Sequence, residues 1–446
     1  MQPQIRKLLV IVLMLAAAGT INAQQSSFTL DDAIQYALDK HASVKNAVLD
    51  ERIADRKVDE LTGAGTPQIR FNGELNNFID VPVSFVPGEF FGAEAGQYIP
   101  VQFGQQYSMS GGFSFSQLVF DGSYLVGLQA ARTYRELSQK KTKQSRTDVA
   151  VNVTKAYFGA LVSDARLDII EANLQRVEKL MNETKALNKA GFVEKVDVDR
   201  MELTYNNLLV EKEKVMNFKA LSYLLLKYNM NYPYQEQIIL AERLEEIAKK
   251  KTTVPDKVNL ENRPEYEVLS VSRKMQELDV KLSKAGYMPN LVAFGTFSYN
   301  NARNQFDFFS GGLKWFPTTL IGARLSVPIW TGLQNKSKLA QSRLSLEKID
   351  NALDLMRNSF QLELDQARTN YRNNLLSLDF VRKNRELAKE ISRVSKTKYD
   401  NGLGSSLEMV NAESDVREAD ANFFNVLYDT LISQIELERI SGSIAY

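Results

Sequence analysis

The residues whose type and position could do chemistry in this chain are carboxylates at the starts of two helices. Asp197 and Asp199 follow the turn Ala190-Gly191-Phe192, and Glu408 follows Asn401-Gly402-Leu403-Gly404. The chemistry open to them is electrostatic. Ser405-Ser406-Leu407-Glu408 reads as a capping box, in which serine and glutamate satisfy free amides at a helix start. Asp197 and Asp199 read equally well as first-turn acids favoured by the helix dipole. Bond-making chemistry finds no support: cysteine is absent, His41 is the one histidine, and neither a phosphate-binding glycine loop nor a carboxylate pair in an apolar pocket is present. A lone histidine makes no metal site, and His41 reads as a surface residue of a helical segment from Leu30 to Leu61. No catalytic residue, cofactor or metal is expected.

The elements that carry these carboxylates occur twice, at a spacing of roughly 210 to 220 residues, which is a whole architectural unit. Thr66-Pro67-Gln68-Ile69 matches Met288-Pro289-Asn290-Leu291. Val119-Phe120-Asp121-Gly122 matches Ile329-Trp330-Thr331-Gly332, and Ala190-Gly191 matches Asn401-Gly402. Each half runs helix, alternating strand, loop, alternating strand, very long helix, glycine turn, helix. The predicted organisation is a signal peptide over 1–23, a first repeat over 24–230, an equatorial linker over 231–262 and a second repeat over 263–446.

The N-terminus places Arg6-Lys7 before an apolar stretch from Leu8 to Ala18 and small residues ending at Ala23, the pattern of a cleavable export signal. The chain has 55 basic and 54 acidic residues; without Arg6 and Lys7 these become 53 and 54, so the mature chain carries about −1 and nucleic acid is an unsuitable partner. Absence of cysteine fits an exported protein that uses no disulfides.

Four segments alternate apolar and polar residues. Ile69, Phe71, Gly73 and Leu75 alternate with Arg70, Asn72, Glu74 and Asn76; Met109, Gly111, Phe113 and Phe115 alternate with serines and Gly112. Leu291 to Tyr299 and Ile321 to Ile329 repeat the pattern in the second half. Each is about 9 to 11 residues, the length of a tilted strand crossing a bilayer, and both tryptophans, Trp315 and Trp330, lie beside them. The same alternation also suits a half-buried soluble sheet. A lipid-exposed sheet can have no open edge, however, and barrels begin at about eight strands. Four spanning strands therefore require a barrel shared among subunits, two chains giving eight and three giving twelve.

From Tyr124 to Lys189 there is no proline, and Val149, Val153, Ala156, Ala160, Ser163, Leu167, Ile170, Leu174, Val177 and Met181 step by fours and threes. Leu333 to Tyr399 repeats this with Leu346, Ile349, Leu353, Met356, Phe360 and onward to Leu378. That is coiled-coil spacing over roughly 100 Å of helix, several times a bilayer core. Returning helices are expected from Val196 to Tyr228 and from Leu407 to Ile440. Such hairpins bury one stripe and leave another for neighbours.

Taken together, the signal, the duplicated helix-strand-strand-helix halves and the hairpin segments Ala190 to Met201 and Tyr399 to Glu413 resemble the TolC-type outer-membrane efflux duct family over essentially the whole mature chain. The resemblance implies a mainly helical fold with a small β part: a homotrimer whose twelve-stranded transmembrane barrel continues into a periplasmic barrel of coiled-coil hairpins. It implies a passive exit duct working with a periplasmic adaptor and an inner-membrane transporter. The family's entrance acids match Glu408 and Asn411, so one carboxylate is kept and one is an amide. Its closing contacts match Tyr399 and Asp197, but the arginine position is Gly404; Lys195 or Arg200 is the expected substitute. The tips Gly191, Phe192, Gly402 and Leu403 match the adaptor contact. The competing readings are a periplasmic coiled-coil adaptor, which would show one hairpin among small barrel segments, and a structural coiled coil, which leaves the strands unexplained.

Overall fold

The computed structural model describes residues 26–92, 94–247 and 259–444; the expected leader, and Lys249-Lys250-Lys251 and Pro255 of the linker, lie outside the described residues. The chain forms two compact units. One is helical and takes residues up to Asp50, Ser138–Leu269 and those from Ala352 on; the other takes Glu51–Leu137 and Ser270–Asn351 and holds the main sheet.

In the sheet unit, β2 (Gln68–Asn77), β5 (Tyr107–Asp121), β7 (Asn290–Arg303) and β8 (Phe316–Ser326) form an antiparallel sheet in that spatial order. Register aligns Ile69, Phe115, Gly295 and Ile321 in one row and Phe71, Phe113, Phe297 and Thr319 in another, all on one face. The opposite face aligns Arg70, Ser114, Thr296 and Leu320, then Asn72, Gly112, Ser298 and Thr318. The two alternating patterns of the sequence thus combine into one apolar and one mostly polar surface. Among the described residues nothing covers the apolar surface, with Ile69 70% and Ile321 85% exposed. Among the described residues neither β2 nor β8 has a partner on its outer edge.

One strand differs from expectation. The segment expected at Ile321 to Ile329 is paired over Phe316–Ser326, five residues earlier at its start. Pro328 has no amide to donate and ends the ladder, while Pro317 is tolerated at the start of the strand. The stretch from Asp80 to Tyr107 contains a second small sheet of β3 (Val83–Pro87) and β4 (Tyr98–Gln102).

The strand-to-helix corner follows from Asp121. Its carboxylate accepts from the amides of Ser123 at 2.7 Å and Tyr124 at 3.1 Å, and from the side chain of Asn290 at 2.7 Å. It thereby caps helix α3 (Gly122–Lys189) and ties β5 to β7. Helix α7 (Gln334–Asp400), which follows α5 (Leu244–Ile247) and α6 (Pro264–Ala285) in the chain, is the equivalent in the second half. These helices of 68 and 67 residues are each about 100 Å long. None of the described helices is long and apolar enough to cross a membrane.

In the helical unit, α3 returns as α4 (Lys195–Met230) and α7 as α8 (Ser406–Ser441). Val149, Val153, Ala156 and Ala160 of α3 pack with Leu226 and Met230 of α4 and with Phe424, Leu427 and Leu431 of α8, while Ala33, Ile34 and Ala37 of α1 (Leu30–Lys40) cover one end. The predicted stripe holds along most of both long helices. At one point it slips: Asn173 is buried where Leu174 is only half-buried, because Asn173 joins a polar network described below.

The predicted helix from Leu30 to Leu61 is two, α1 and α2 (Ala42–Ala64), broken at His41. His41 has extended backbone (φ −65°, ψ 132°) and its Nδ1 accepts the Ser43 amide at 3.2 Å, so it ends one helix and caps the next. Burial holds its pKa below the ordinary value, consistent with a neutral ring acting as acceptor. The expected linker is partly structured as well: β6 (Ile238–Leu240) pairs in parallel with β1 (Ser26–Phe28), and Leu244 and Ile247 are buried in the helical core.

Candidate functional site

The two hairpin turns have the same construction. After α3, Gly191 at φ 82° sends its amide to Asn188 O at 3.0 Å and Phe192 sends its amide to Leu187 O at 2.9 Å. After α7, Gly402 at φ 74° sends its amide to Tyr399 O at 3.0 Å and Leu403 sends its amide to Lys398 O at 2.8 Å. Both are Schellman closures, in which a left-handed residue reverses the chain and the last carbonyls are satisfied. A positive φ is what demands glycine. The residue after each glycine projects outward: Phe192 is 79% and Leu403 82% exposed. Two isolated apolar side chains at the exposed ends of stiff hairpins have no packing role within the chain.

Behind the turns lies a small core of Leu180, Met181, Met201 and Met409, flanked by Tyr399. Tyr399 is not bonded to Asp197. Its hydroxyl meets the Thr184 hydroxyl at 3.3 Å. Asp197 instead joins the two hairpins through Ser406, whose hydroxyl donates to its Oδ1. Arg200 donates to the same Oδ1 at 3.2 Å and to the Ser406 hydroxyl at 3.4 Å, while the other carboxylate oxygen of Asp197 accepts the Glu194 amide at 3.3 Å. Of the two cations considered in place of an arginine at 404, Arg200 stands at the junction. Gly404 sits tightly: a Cβ there would lie 3.0 Å from Lys398 Cβ and 3.2 Å from Tyr399 N, so a side chain needs its neighbours to give by a few tenths of an ångström.

Glu408 behaves as half of a capping box. Its amide donates to Ser405 Oγ at 3.1 Å, but its carboxylate accepts from Lys398 at 3.2 Å rather than returning to the serine amide. Glu408 and Asn411 are exposed on one face of α8, and that face continues. Asp415, Glu418, Asn422, Asn425 and Asp429 follow at alternating steps of four and three, and all are exposed. Seven successive acid or amide side chains thus form a polar ladder along more than five turns of one helix. The family resemblance marks only the first two, although the same spacing runs through all seven.

On its opposite side α8 is held by a buried polar network. Asp420 accepts from Arg385 of α7 at 2.6 Å and from Asn173 of α3 at 3.3 Å. One heptad closer to the turn, Glu413 accepts from Ser392 of α7 at 2.6 Å and from Arg176 of α3 at 3.1 Å, and Arg176 also donates to Asn173 at 2.8 Å. The guanidinium of Arg385 lies 4.7 Å from the centre of the Phe423 ring. Two carboxylates almost without solvent contact, each given cations or donors from two other helices, fix the axial register of three helices at once.

Comparison with known proteins bears on what such a unit does. The profile of the outer membrane efflux protein family matches residues 33–208 and 257–443, both halves of the duplication. The outer membrane protein TolC of Vibrio cholerae serotype O1 is 21% identical over 341 residues, 76% of this chain and 77% of that one. Among solved structures, the CmeC outer membrane channel of Campylobacter jejuni superposes with a TM-score of 0.74 at 14% identity, covering 93% of this chain and 86% of that chain. The open state of the MtrE outer membrane channel of Neisseria gonorrhoeae gives 0.72 at 16% identity, covering 93% and 88%.

Proposed function

This chain belongs to the outer membrane efflux protein family, and we propose that three copies of it form the exit duct of a tripartite efflux or secretion system. The duct is passive and resides in the outer membrane. The observation that carries the trimer is the open sheet with one uncovered apolar face. Four antiparallel strands leave β2 and β8 as edges running in opposite directions. The β8 edge of one copy can therefore pair antiparallel with the β2 edge of the next, and repetition closes a ring with no open edge. Three copies give twelve strands. The apolar face then meets lipid and the polar face the lumen.

The long helices support the same arrangement. α7 leaves Leu355, Leu362, Leu376, Phe380, Leu387 and Ile391 exposed at heptad-like steps, and α4 leaves Leu203, Leu209, Met216 and Leu224 exposed. These stripes supply the faces by which hairpins of neighbouring copies pack into a helical barrel. The mass of the assembly extracted from the outer membrane tests the proposal: a trimer is expected, and a water-soluble monomer would overturn it.

In that barrel the Glu408 ladder lines the lumen near the entrance, and three copies of each carboxylate favour cations. The Asp197–Ser406–Arg200 junction holds the two hairpins of one chain together at the tip. Asp197→Ala is expected to raise single-channel conductance by loosening that junction, and Ser406→Ala to do so at least as much, since the Ser406 hydroxyl carries both bonds between the hairpins. Unchanged conductance in Asp197→Ala would show that the junction does not hold the entrance closed.

The exposed tips Phe192 and Leu403 are the contact for a periplasmic adaptor, which couples the duct to an inner-membrane transporter. Gly402→Trp adds bulk and forces an unfavourable φ, so efflux is expected to be lost while the trimer persists. Gly402→Asn, which tolerates the left-handed region, should retain most efflux. Wild-type efflux by the tryptophan variant would remove the tip from the docking surface.

A further inference from the structure

A groove runs along the helical unit between α4 and α8, with α3 as its floor. It consists of two adjoining cavities of about 460 and 660 Å3 that share Arg166 and Phe424. Their chemistry differs. The larger is walled by Phe218, Leu221 and Leu225 of α4, Val162 of α3 and Tyr428 of α8, and Gly159 leaves its floor open. The smaller gathers Arg166, Lys214 and Arg417 with Glu211, Glu418 and Asp420.

Several of those charges are already matched. Arg166 pairs with Glu211 at 3.1 Å, and Asp420 is held by Arg385 at 2.6 Å. Among the described residues Lys214, Arg417 and Glu418 are left without an ion pair, an excess of one positive charge. Arg417 donates to Ser414 at 3.0 Å through one terminal nitrogen, while its Nε is buried without a hydrogen-bond partner among the described residues. A buried guanidinium nitrogen with nothing to donate to is costly, and an anionic oxygen would satisfy it.

We infer that this groove binds a single-chain anionic amphiphile, its head group at Arg417 and Lys214 and its alkyl chain along Phe218, Leu221 and Leu225. Each cavity is of the size usual for a small-ligand site, and a largely apolar wall with few convergent polar groups is the usual form of such a site. The groove opens on the side of the polar ladder, because Glu418 and Asn425 belong to both. Access from the lumen rests on the proposed ladder orientation; the site itself does not. Glu418 opposes the anion, so the site is tuned by a repulsive neighbour as well as by two attractive ones.

The test is calorimetric titration of dodecanoate into the trimer held in amphipol, with octanoate and methyl dodecanoate as comparisons. Saturable binding at one ligand per chain is expected, weaker for octanoate by about three- to fourfold per methylene removed and lost for the uncharged ester. Arg417→Gln with Lys214→Gln should weaken it by about tenfold or more. Gly159→Leu, which places bulk against Tyr428 where a Cβ would lie 3.7 Å away, should block it. Glu418→Gln should tighten it, a gain that no loss of folding can imitate. Absence of saturable binding, equal binding of the ester, or no response to Glu418→Gln and Gly159→Leu would each overturn the assignment. Neither outcome touches the duct reading, which the assembly mass and ion selectivity decide separately.

Discussion

Replacing Glu408, Asp415, Glu418 and Asp429 together by Gln, Asn, Gln and Asn is expected to abolish the cation preference of the channel in a planar bilayer, while Glu408→Gln alone lowers it only in part. Three carboxylates around an axis, each about 10 Å from a cation in water, attract it by about 1 kcal/mol before screening. That corresponds to a preference of about fivefold for each ring. The rings at 408, 415 and 418 are separated by one or two helical turns and act within about a Debye length of 8 to 10 Å of one another, while Asp429 stands about three turns further on, so removing one ring leaves the others to act. The amides preserve size and hydrogen bonding, which keeps the comparison electrostatic. The reversal potential under a salt gradient reads the effect directly. An unchanged potential in the quadruple variant would place the ladder away from the conduction path, and a full loss in Glu408→Gln alone would leave the first ring as the whole filter. Lys398 bears on this too, since it pairs with Glu408 at 3.2 Å and is itself exposed.

Asp420→Ala is expected to destabilise the helical unit by about 3–5 kcal/mol, the usual consequence of removing one partner of a buried charge pair. Arg385 would be left with a side chain only 15% exposed, and Asn173 would lose its acceptor. The second expectation separates charge from shape: Asp420→Leu combined with Arg385→Met should recover much of the loss, because an apolar pair avoids the desolvation of two ions. Urea midpoints of the detergent-solubilised assembly measure both. If the double variant is as unstable as Asp420→Ala, the network contributes geometry that apolar contact cannot replace, and loss of helix register is then the cause. Glu413, bonded to Ser392 and Arg176 one heptad away, should couple non-additively to Asp420 through Arg176 and Asn173.

Much of this was legible in the residue order. Alternation in Ile69 to Leu75 and Met109 to Phe115 reveals strands because a pleated backbone has a period of two, and the proline-free four-three stepping from Val149 to Met181 reveals a helix for the same kind of geometric reason. Duplication reveals the repeat, and the glycines at 191 and 402 mark turns because only a residue without Cβ adopts their φ cheaply. Even the carboxylate ladder from Glu408 to Asp429 is local, being the exposed face of one helix.

What only the tertiary structure decided involves partners far apart in sequence. The shift of β8 to Phe316–Ser326 depends on which residues of β7 it faces. The break at His41 depends on a ring nitrogen capping the next helix. Tyr399 meets Thr184 and Asp197 meets Ser406 across more than two hundred residues, partners that the motif positions alone do not specify. Asn173 takes a core position from Leu174 because Asp420 waits there, a preference invisible in any window around Asn173. Periodicity is a property of one chain segment and its own backbone, whereas a hydrogen bond between segments depends on where packing brings the second one.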